Sequence, residues 1–460
     1  MQLEFLDRAE ELTRIRKVLE APEGNLAVLF GRRRCGKSRL LLEALPAGHS
    51  VYFVGDDRSS PLQRAALATE IGRLLEGFDQ VVYPDWEALL KRWWEQAPRG
   101  AVLALDEFPA LVAAAQELPS LLQKRIDASA GAGVHLVLAG SSQRMMQGLV
   151  LDRSAPLFGR AREILRIDPL PAGWIQRALR LRSAAAAVEA FSVWGGVPRY
   201  WELAADFDSL AKALSETVLN PLGVLHDEPQ RILLDDLRDT AQAASILSLI
   251  GLGCRRLSKI AGRLEKPATS LTRPLQRLIE LGLVVRDQPH GSRARHEKRS
   301  YYRIADPFLQ FWFRFVEPNR SRLQAHRIDA VHADIEARFA PHVAQAWEDL
   351  ARASVPRLEI GGRTFGPASR CWGAGLDSEP LEIDIVAESE DRKALLFGEC
   401  KWSDDAKAPQ VLAALQRKAE RFPERGSRTA LFGLWLKRAP RSCRGAEVLS
   451  PAKVLRALER

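Results

Sequence analysis

The residues best suited to chemistry sit near the two ends of this chain: Gly31-Arg32-Arg33-Arg34-Cys35-Gly36-Lys37-Ser38, and Asp384 followed by Glu399-Cys400-Lys401. The first run has the spacing G-x-x-x-x-G-K-S. Its glycines let backbone N–H groups face phosphate oxygens, its lysine neutralises the terminal phosphates, and its serine hydroxyl holds Mg²⁺. Gly31, Arg34, Cys35, Gly36, Lys37 and Ser38 are therefore the expected phosphate-binding residues. Asp106-Glu107 ends a second apolar run, where Asp106 can organise the Mg²⁺ shell and Glu107 can polarise an attacking water. Ser141 and Ser142 end a third, and read either as contacts to the terminal phosphate and the water or as a helix N-cap. Arg160 and Arg162 fit an arginine finger, in cis or in trans, or ordinary ion-paired surface residues.

At the other end, period-two alternation in Leu381–Ala387 puts Glu382 and Asp384 on one strand face and Ile383 and Ile385 on the other. The same alternation in Leu395–Trp402 sets Glu399 beside Lys401. Two such strands bring Asp384, Glu399 and Lys401 to one point. The carboxylates suit Mg²⁺ or Mn²⁺, and the ammonium suits a water nucleophile and the charge that develops on a phosphodiester. The Cys400 carbonyl and Glu348, on an upstream amphipathic helix, are the accessory ligands; salt-bridged surface carboxylates are the competing reading.

The elements that must position these groups are legible as well. Asn25–Phe30, Ala101–Leu105 and His135–Ala139 are short apolar runs separated by helical stretches, which implies a parallel sheet covered on both faces. Strand, glycine-bounded loop and the helix Ser38–Leu45 follow in the order a phosphate loop needs. The chain divides by pattern into a P-loop domain (1–172), a helical lid (173–240), a winged helix-turn-helix (241–320) and a C-terminal α/β domain (330–460), which its resemblance to nucleases implies to be restriction-endonuclease-like. In the third segment, three compact helices span Ala241–Leu281, with Pro274 in the first turn of the last, and a β-hairpin wing surrounds the polar loop Pro289–Ser300. Phe308, Phe311, Trp312, Phe313 and Phe315 follow at helical spacing; such an aromatic face can stack bases, but packing against a neighbouring domain is the favoured reading.

At 460 residues the chain is expected to form two to four domains. A start without an apolar core segment, and no apolar run long enough for a membrane span, suggest a cytoplasmic protein with no membrane partner. Five scattered cysteines form no metal-binding pattern and suit a reducing compartment. The net charge of +9 is concentrated: between Gly251 and Arg303 thirteen Lys/Arg stand against four Asp/Glu, an excess equal to that of the whole chain. This favours DNA as partner, with Arg273, Gln276 and Arg277 (beside Thr272) on the helix meant for the groove and Arg293, Arg295, Lys298 and Arg299 on the wing for the phosphates. Docking of a protein partner is the alternative use of such a module.

Phe5-Leu6-Asp7-Arg8-Ala9-Glu10-Glu11-Leu12, the phosphate loop, Leu105-Asp106-Glu107-Phe108-Pro109, Gly140-Ser141-Ser142, Pro156-Leu157-Phe158-Gly159-Arg160 and Gly195-Gly196-Val197-Pro198 together resemble the archaeal-type ATPases of the AAA+/STAND branch of P-loop NTPases. The resemblance continues through the aromatic run 302–315, and implies ATP binding, hydrolysis and use as a switch. Glu348, Asp384 and Glu399-x-Lys401 are similar to the PD-(D/E)XK nuclease superfamily, although Ile383 replaces the proline of its name. The combined expectation is an ATP-hydrolysing, DNA-binding protein with a Mg²⁺-dependent nuclease-like domain, in genome defence or mobile-DNA processing. A STAND-like switch that binds DNA or protein without cleaving is the alternative, and a homo-oligomer is left open.

Overall fold

The computed structural model describes residues 3–128, 133–237, 239–291 and 300–459. It divides into two compact units: Asp7–Pro169 with Leu234–Asp236, and Met1–Leu6 with Leu170–Leu233 and Leu237–Arg460. The segments expected as lid, winged helix and C-terminal domain thus fall in one unit, apart from three residues.

The first unit is built on β1 (Leu26–Phe30), β2 (Ser50–Val54), β3 (Val102–Asp106), β4 (His135–Gly140) and β5 (Ala161–Arg166), all parallel in the order β2-β3-β4-β1-β5. Every residue of β1, β3 and β4 is buried, as helices on both faces require. These are the three strands visible as apolar runs. The edge strands β2 and β5 were not, because their burial alternates and β5 carries Arg162 and Arg166 outward. Trp86, Trp93, Phe108, Leu103 and Leu138 belong to the core on one sheet face, each side chain contributing roughly 1.5–3 kcal/mol through burial.

In the second unit, helices Thr240–Gly251, Leu257–Arg263 and Ala268–Glu280 precede an antiparallel hairpin of β6 (Val284–Asp287) and β7 (Tyr301–Ile304). The third helix opens at Ala268 with Pro267 as its N-cap, so Pro274 lies in its interior and not in its first turn. The proline removes the bond to the Ser270 carbonyl, tolerated because Ser270 is exposed to solvent. Phe308, Phe311, Trp312, Phe313 and Phe315 are all buried, as packing demands.

The helix Ile328–Ser354 leads into a five-stranded sheet of β8 (Ser369–Ala374), β9 (Pro380–Glu388), β10 (Ala394–Lys401), β11 (Thr429–Leu436) and β12 (Glu447–Leu449), in sequential order across the sheet. β9 is antiparallel to β8 and β10, whereas β10, β11 and β12 run parallel. The strict alternation expected along β9 fails. Cys371 pairs with Ile383 and Ser369 with Val386, so β9 carries one residue more than β8 around Asp384 and Ile385. This bulge lets Ile383 and Val386 join the same core cluster. Asp384 is buried and Glu382 exposed.

Candidate functional site

The C-terminal ends of β1, β3 and β4 deliver the first site. Phe30 pairs with Gly140, so the loop after β1 and Ser141 after β4 leave one sheet edge, beside Asp106 at the end of β3. Gly31 has φ 147°, and a Cβ there would stand 2.3 Å from the Ile167 carbonyl oxygen. At Gly36, φ is 88° and a Cβ would meet nothing within 4 Å, the open space of a cradle. Arg34 is left-handed too, and Cys35 is buried. Lys37, first residue of the helix Lys37–Ala44, donates from Nζ to the carbonyls of Gly31 at 2.8 Å and Arg32 at 3.0 Å. Burial holds its pKa below the ordinary lysine value, against the attraction of Glu107, Asp106 and Asp236.

Tyr52 on β2 donates its hydroxyl to Asp106 Oδ2 at 2.8 Å and also hydrogen-bonds Ser38, which sets Ser38 and Asp106 about one phenol oxygen. Burial and the Asp106 charge push the Tyr52 pKa far up, so it stays a donor. Glu107 is left-handed at φ 48°, a sparsely populated conformation for a residue with a Cβ. Its Oε2 accepts from the Ser141 hydroxyl at 2.9 Å and the Ser141 N–H at 3.2 Å. Ser142 caps the helix Gln143–Met146, so the two serine readings divide between neighbours.

Arg160 is placed elsewhere. It precedes β5, whose first residue pairs with Leu26 at the start of β1, while the phosphate loop follows the end of β1. Five residues of strand, about 16 Å, separate them. Its guanidinium forms a bidentate pair with Asp127, both contacts 2.8 Å, so within one chain it is an ion-paired residue and not a phosphate ligand. Arg162 hydrogen-bonds the Asn25 side chain.

Sequence pattern missed several residues here. Arg8, left-handed and buried, reaches the carbonyls of Cys35 (3.4 Å) and Asp168, bracing the loop from outside. Asp235 pairs with Arg33 at 3.1 Å, and Asp236 accepts from the Ser142 hydroxyl and the Arg144 N–H, each at 3.1 Å. Arg8 stands in the run Phe5–Leu12 that carries the family resemblance, but its left-handed backbone and its reach to the loop show only in the fold. Asp235 lies 202 residues beyond Arg33, and Asp236 lies 94 beyond Ser142.

The second site joins β9, β10 and two helices. Asp384 Oδ2 accepts from the Cys400 N–H at 2.9 Å. Lys401 donates to Glu399 Oε1 at 2.8 Å, and Lys418, from the helix Ala408–Glu420, donates to Oε2 at 2.8 Å. Glu348 approaches from the helix Ile328–Ser354; burial and the Asp384 charge raise its pKa to about 6. Arg352 lies 3.6 Å from Glu348, bonds Asp349, and donates to the Asp384 carbonyl at 3.1 Å. Burial and the Glu399 charge raise the Asp384 pKa, and although burial opposes it, Glu399 raises that of Lys401. Among the described residues no three His, Cys, Asp or Glu side chains are grouped to hold a metal ion. Asp384, Glu399 and Lys401 are thus neighbours, and Glu348 faces Asp384, but the three carboxylates form no ready metal cage. Lys418, Arg352 and Asp349 were invisible to the motif.

Of the residues assigned to DNA, Arg273 and Gln276 are exposed, opposite buried Leu271, Leu275 and Leu278. Arg277 turns to Glu280 at 3.2 Å, and Gln276 Nε2 bonds the same residue. Arg293, Arg295, Lys298 and Arg299 lie outside the described residues. The flanking hairpin is engaged within its own unit. Arg303 bridges Asp287 and Asp349 at 2.8 Å each, Tyr301 stacks on Trp372, and the His290 N–H donates to the Arg370 carbonyl at 3.0 Å.

A parallel sheet with this loop, lysine and acidic pair at one edge defines a P-loop ATPase domain. Residues 5–200 match the family described as an ATPase domain predominantly from Archaea, and residues 312–413 match one described as archaea bacterial proteins of unknown function. An uncharacterized protein of Methanocaldococcus jannaschii is 26% identical over 424 residues, 90% of this chain and 92% of that protein. Among solved structures, the Walker-type ATPase of Pyrococcus abyssi is similar at a TM-score of 0.50 and 20% identity, over 68% of this chain and 96% of that one. The Aeropyrum pernix ORC2 protein follows at a TM-score of 0.48 and 15% identity, over 71% of this chain and 96% of that one. No helix among the described residues is long and apolar enough to cross a membrane.

Proposed function

We propose that this chain is an ATP-hydrolysing, DNA-binding protein whose nucleotide site governs a nuclease-like C-terminal domain. The observation that carries the reading is the single sheet edge holding Lys37, Ser38, Asp106, Glu107 and Ser141. ATP with Mg²⁺ fits it, supplying the phosphoanhydride to be split and the counter-charge for its oxygens. With both bound, Lys37 would exchange its two loop carbonyls for phosphate oxygens, Ser38 and Asp106 would hold the ion's shell, and Glu107 would orient the attacking water and take up its proton. Ser141 fixes the direction of the Glu107 carboxylate.

The helix Ala268–Glu280 and the hairpin support a winged helix-turn-helix that contacts DNA through Arg273 and Gln276. Asp384, Glu399 and Lys401 support a PD-(D/E)XK-type centre. There each Glu399 oxygen already accepts from an ammonium group, so a divalent cation would have to share or displace Lys401 and Lys418. That same pairing favours the second reading, a switch that binds DNA or a protein partner without cutting. The experiment is incubation of single-stranded, duplex, branched and supercoiled DNA with the full chain, in Mg²⁺ or Mn²⁺, with and without ATP, beside Lys37→Ala and Asp384→Ala. Cleavage that Asp384→Ala abolishes sustains the nuclease, whereas intact ATP hydrolysis with uncut DNA leaves the switch.

A further inference from the structure

Two arginines of the second unit, Arg314 and Arg338, share one aromatic ring, and a third, Arg255, lies near enough for its charge to act on Arg314. Arg255 follows the helix Thr240–Gly251, Arg314 lies in the π-helix Trp312–Val316, and Arg338 sits on the helix Ile328–Ser354. The guanidinium carbons of Arg314 and Arg338 stand 5.4 and 5.2 Å from the centre of the same ring, that of buried Phe315. Arg255 donates to the Gln345 side chain at 2.9 Å, two turns along the helix that carries Arg338. None of the three has a carboxylate within 4.0 Å among the described residues. Acids nearby are committed: Asp334 takes Arg322 at 2.6 Å, and Asp349, which attracts Arg255, holds Arg303 and Arg352. Arg338 bonds only the Asp334 carbonyl, and Arg314 makes no hydrogen bond among the described residues.

Half-burial, with smaller contributions from the charges of Arg338 and Arg255, lowers the pKa of Arg314. The Phe315 ring attracts both guanidinium groups while leaving their donor edges unused. Two planar donor sets over one ring, with the Arg255 charge nearby, suit a tetrahedral oxyanion, since Arg pairs with phosphate through parallel N–H bonds.

We propose that Arg255, Arg314 and Arg338, floored by Phe315, form an anion site for a phosphate group, separate from the phosphate loop. The phosphate comes either from a nucleic-acid backbone or from solution. The site does not depend on the ATPase or nuclease reading; only the nucleic-acid source shares the DNA reading. The test uses the full chain saturated with a non-hydrolysable ATP analogue, so that the phosphate loop is filled. Inorganic phosphate is titrated by calorimetry and a fluorescent 20-base-pair duplex by anisotropy, against Arg314→Gln, Arg338→Gln, their combination and Arg314→Lys. Arg338 is exposed, so its variant keeps the test usable where Arg314→Gln misfolds.

Several-fold weaker binding of either probe by each Gln variant, with only partial recovery in Arg314→Lys, which restores the charge but not the planar donor fork, sustains the site. Loss on the duplex arm, with the log K against log salt slope reduced by about one per arginine, assigns the phosphate to nucleic acid. Loss on the phosphate arm alone assigns it to a free oxyanion. A chain that binds phosphate here but no duplex refutes the DNA reading and leaves the site standing. Equal affinity of wild type and double variant for both probes, or no binding of either by wild type, overturns the proposal.

Discussion

Glu107 and Ser141, 34 residues apart, are locked together at the mouth of the phosphate loop: one carboxylate oxygen of Glu107 accepts both the hydroxyl and the backbone N–H of Ser141. The Glu107 carboxylate, the proposed base, is therefore aimed by the end of the neighbouring strand. Ser141→Ala removes the hydroxyl contact and leaves the N–H. Turnover of ATP should fall about tenfold with little change in ATP affinity, while Glu107→Gln should cost on the order of 10²–10⁴. Steady-state hydrolysis beside equilibrium nucleotide binding separates the two. A serine variant that binds ATP poorly would make Ser141 a phosphate ligand.

Lys37 offers a cleaner separation of binding from chemistry. ATP at a hundredfold excess over its dissociation constant should stabilise the first unit by about 2.7 kcal/mol. Lys37→Ala should lose that stabilisation in a thermal melt, and Glu107→Gln should keep it.

Glu399 is held between Lys401 and Lys418. If the centre takes a divalent cation, Lys418→Ala should expose one carboxylate oxygen and raise Mn²⁺ affinity several-fold by calorimetry, an effect that Asp384→Ala should cancel. Identical weak binding in all three proteins would support the switch.

His342 supplies a pH dependence. Its ring packs among Phe311, Phe315 and Phe339, its Nε2 bonds the Ser192 carbonyl, and burial pulls its pKa down to about 4. Above the unfolded value near 6.5 both states are neutral and the group costs nothing. As pH falls from 6.5 through 4 the unfolded chain takes up a proton that the folded chain refuses, so stability is lost, by about 3 kcal/mol at the bottom of that window. Denaturant melts of His342→Gln over the same range should show a shallower fall. An unchanged slope would place the acid sensitivity elsewhere.

What the sequence determined by itself is the chemistry that is local in the chain. A glycine-bounded loop between an apolar strand and a helix is defined by eight consecutive residues, and three strands buried on both faces show as unbroken apolar runs. Asp106 and Glu107 were legible because a strand end is a fixed place. The edge strands β2 and β5 were not, since an edge strand half in solvent keeps charged residues and loses its apolar signature.

Tertiary structure alone decided the partners. Arg160 carried a suggestive neighbourhood, yet strand register sends it to the far end of the sheet, where Asp127 takes it. Asp384 was assigned by alternation, which a bulge interrupts at that point; burial and register, not period two, bring it to Cys400. Lys418 on Glu399, Arg8 behind the phosphate loop and Asp236 on Ser142 join residues 19, 27 and 94 positions apart. Ion pairs and hydrogen bonds act over a few ångströms of space, whatever the separation along the chain, so no spacing rule in the sequence could have disclosed them.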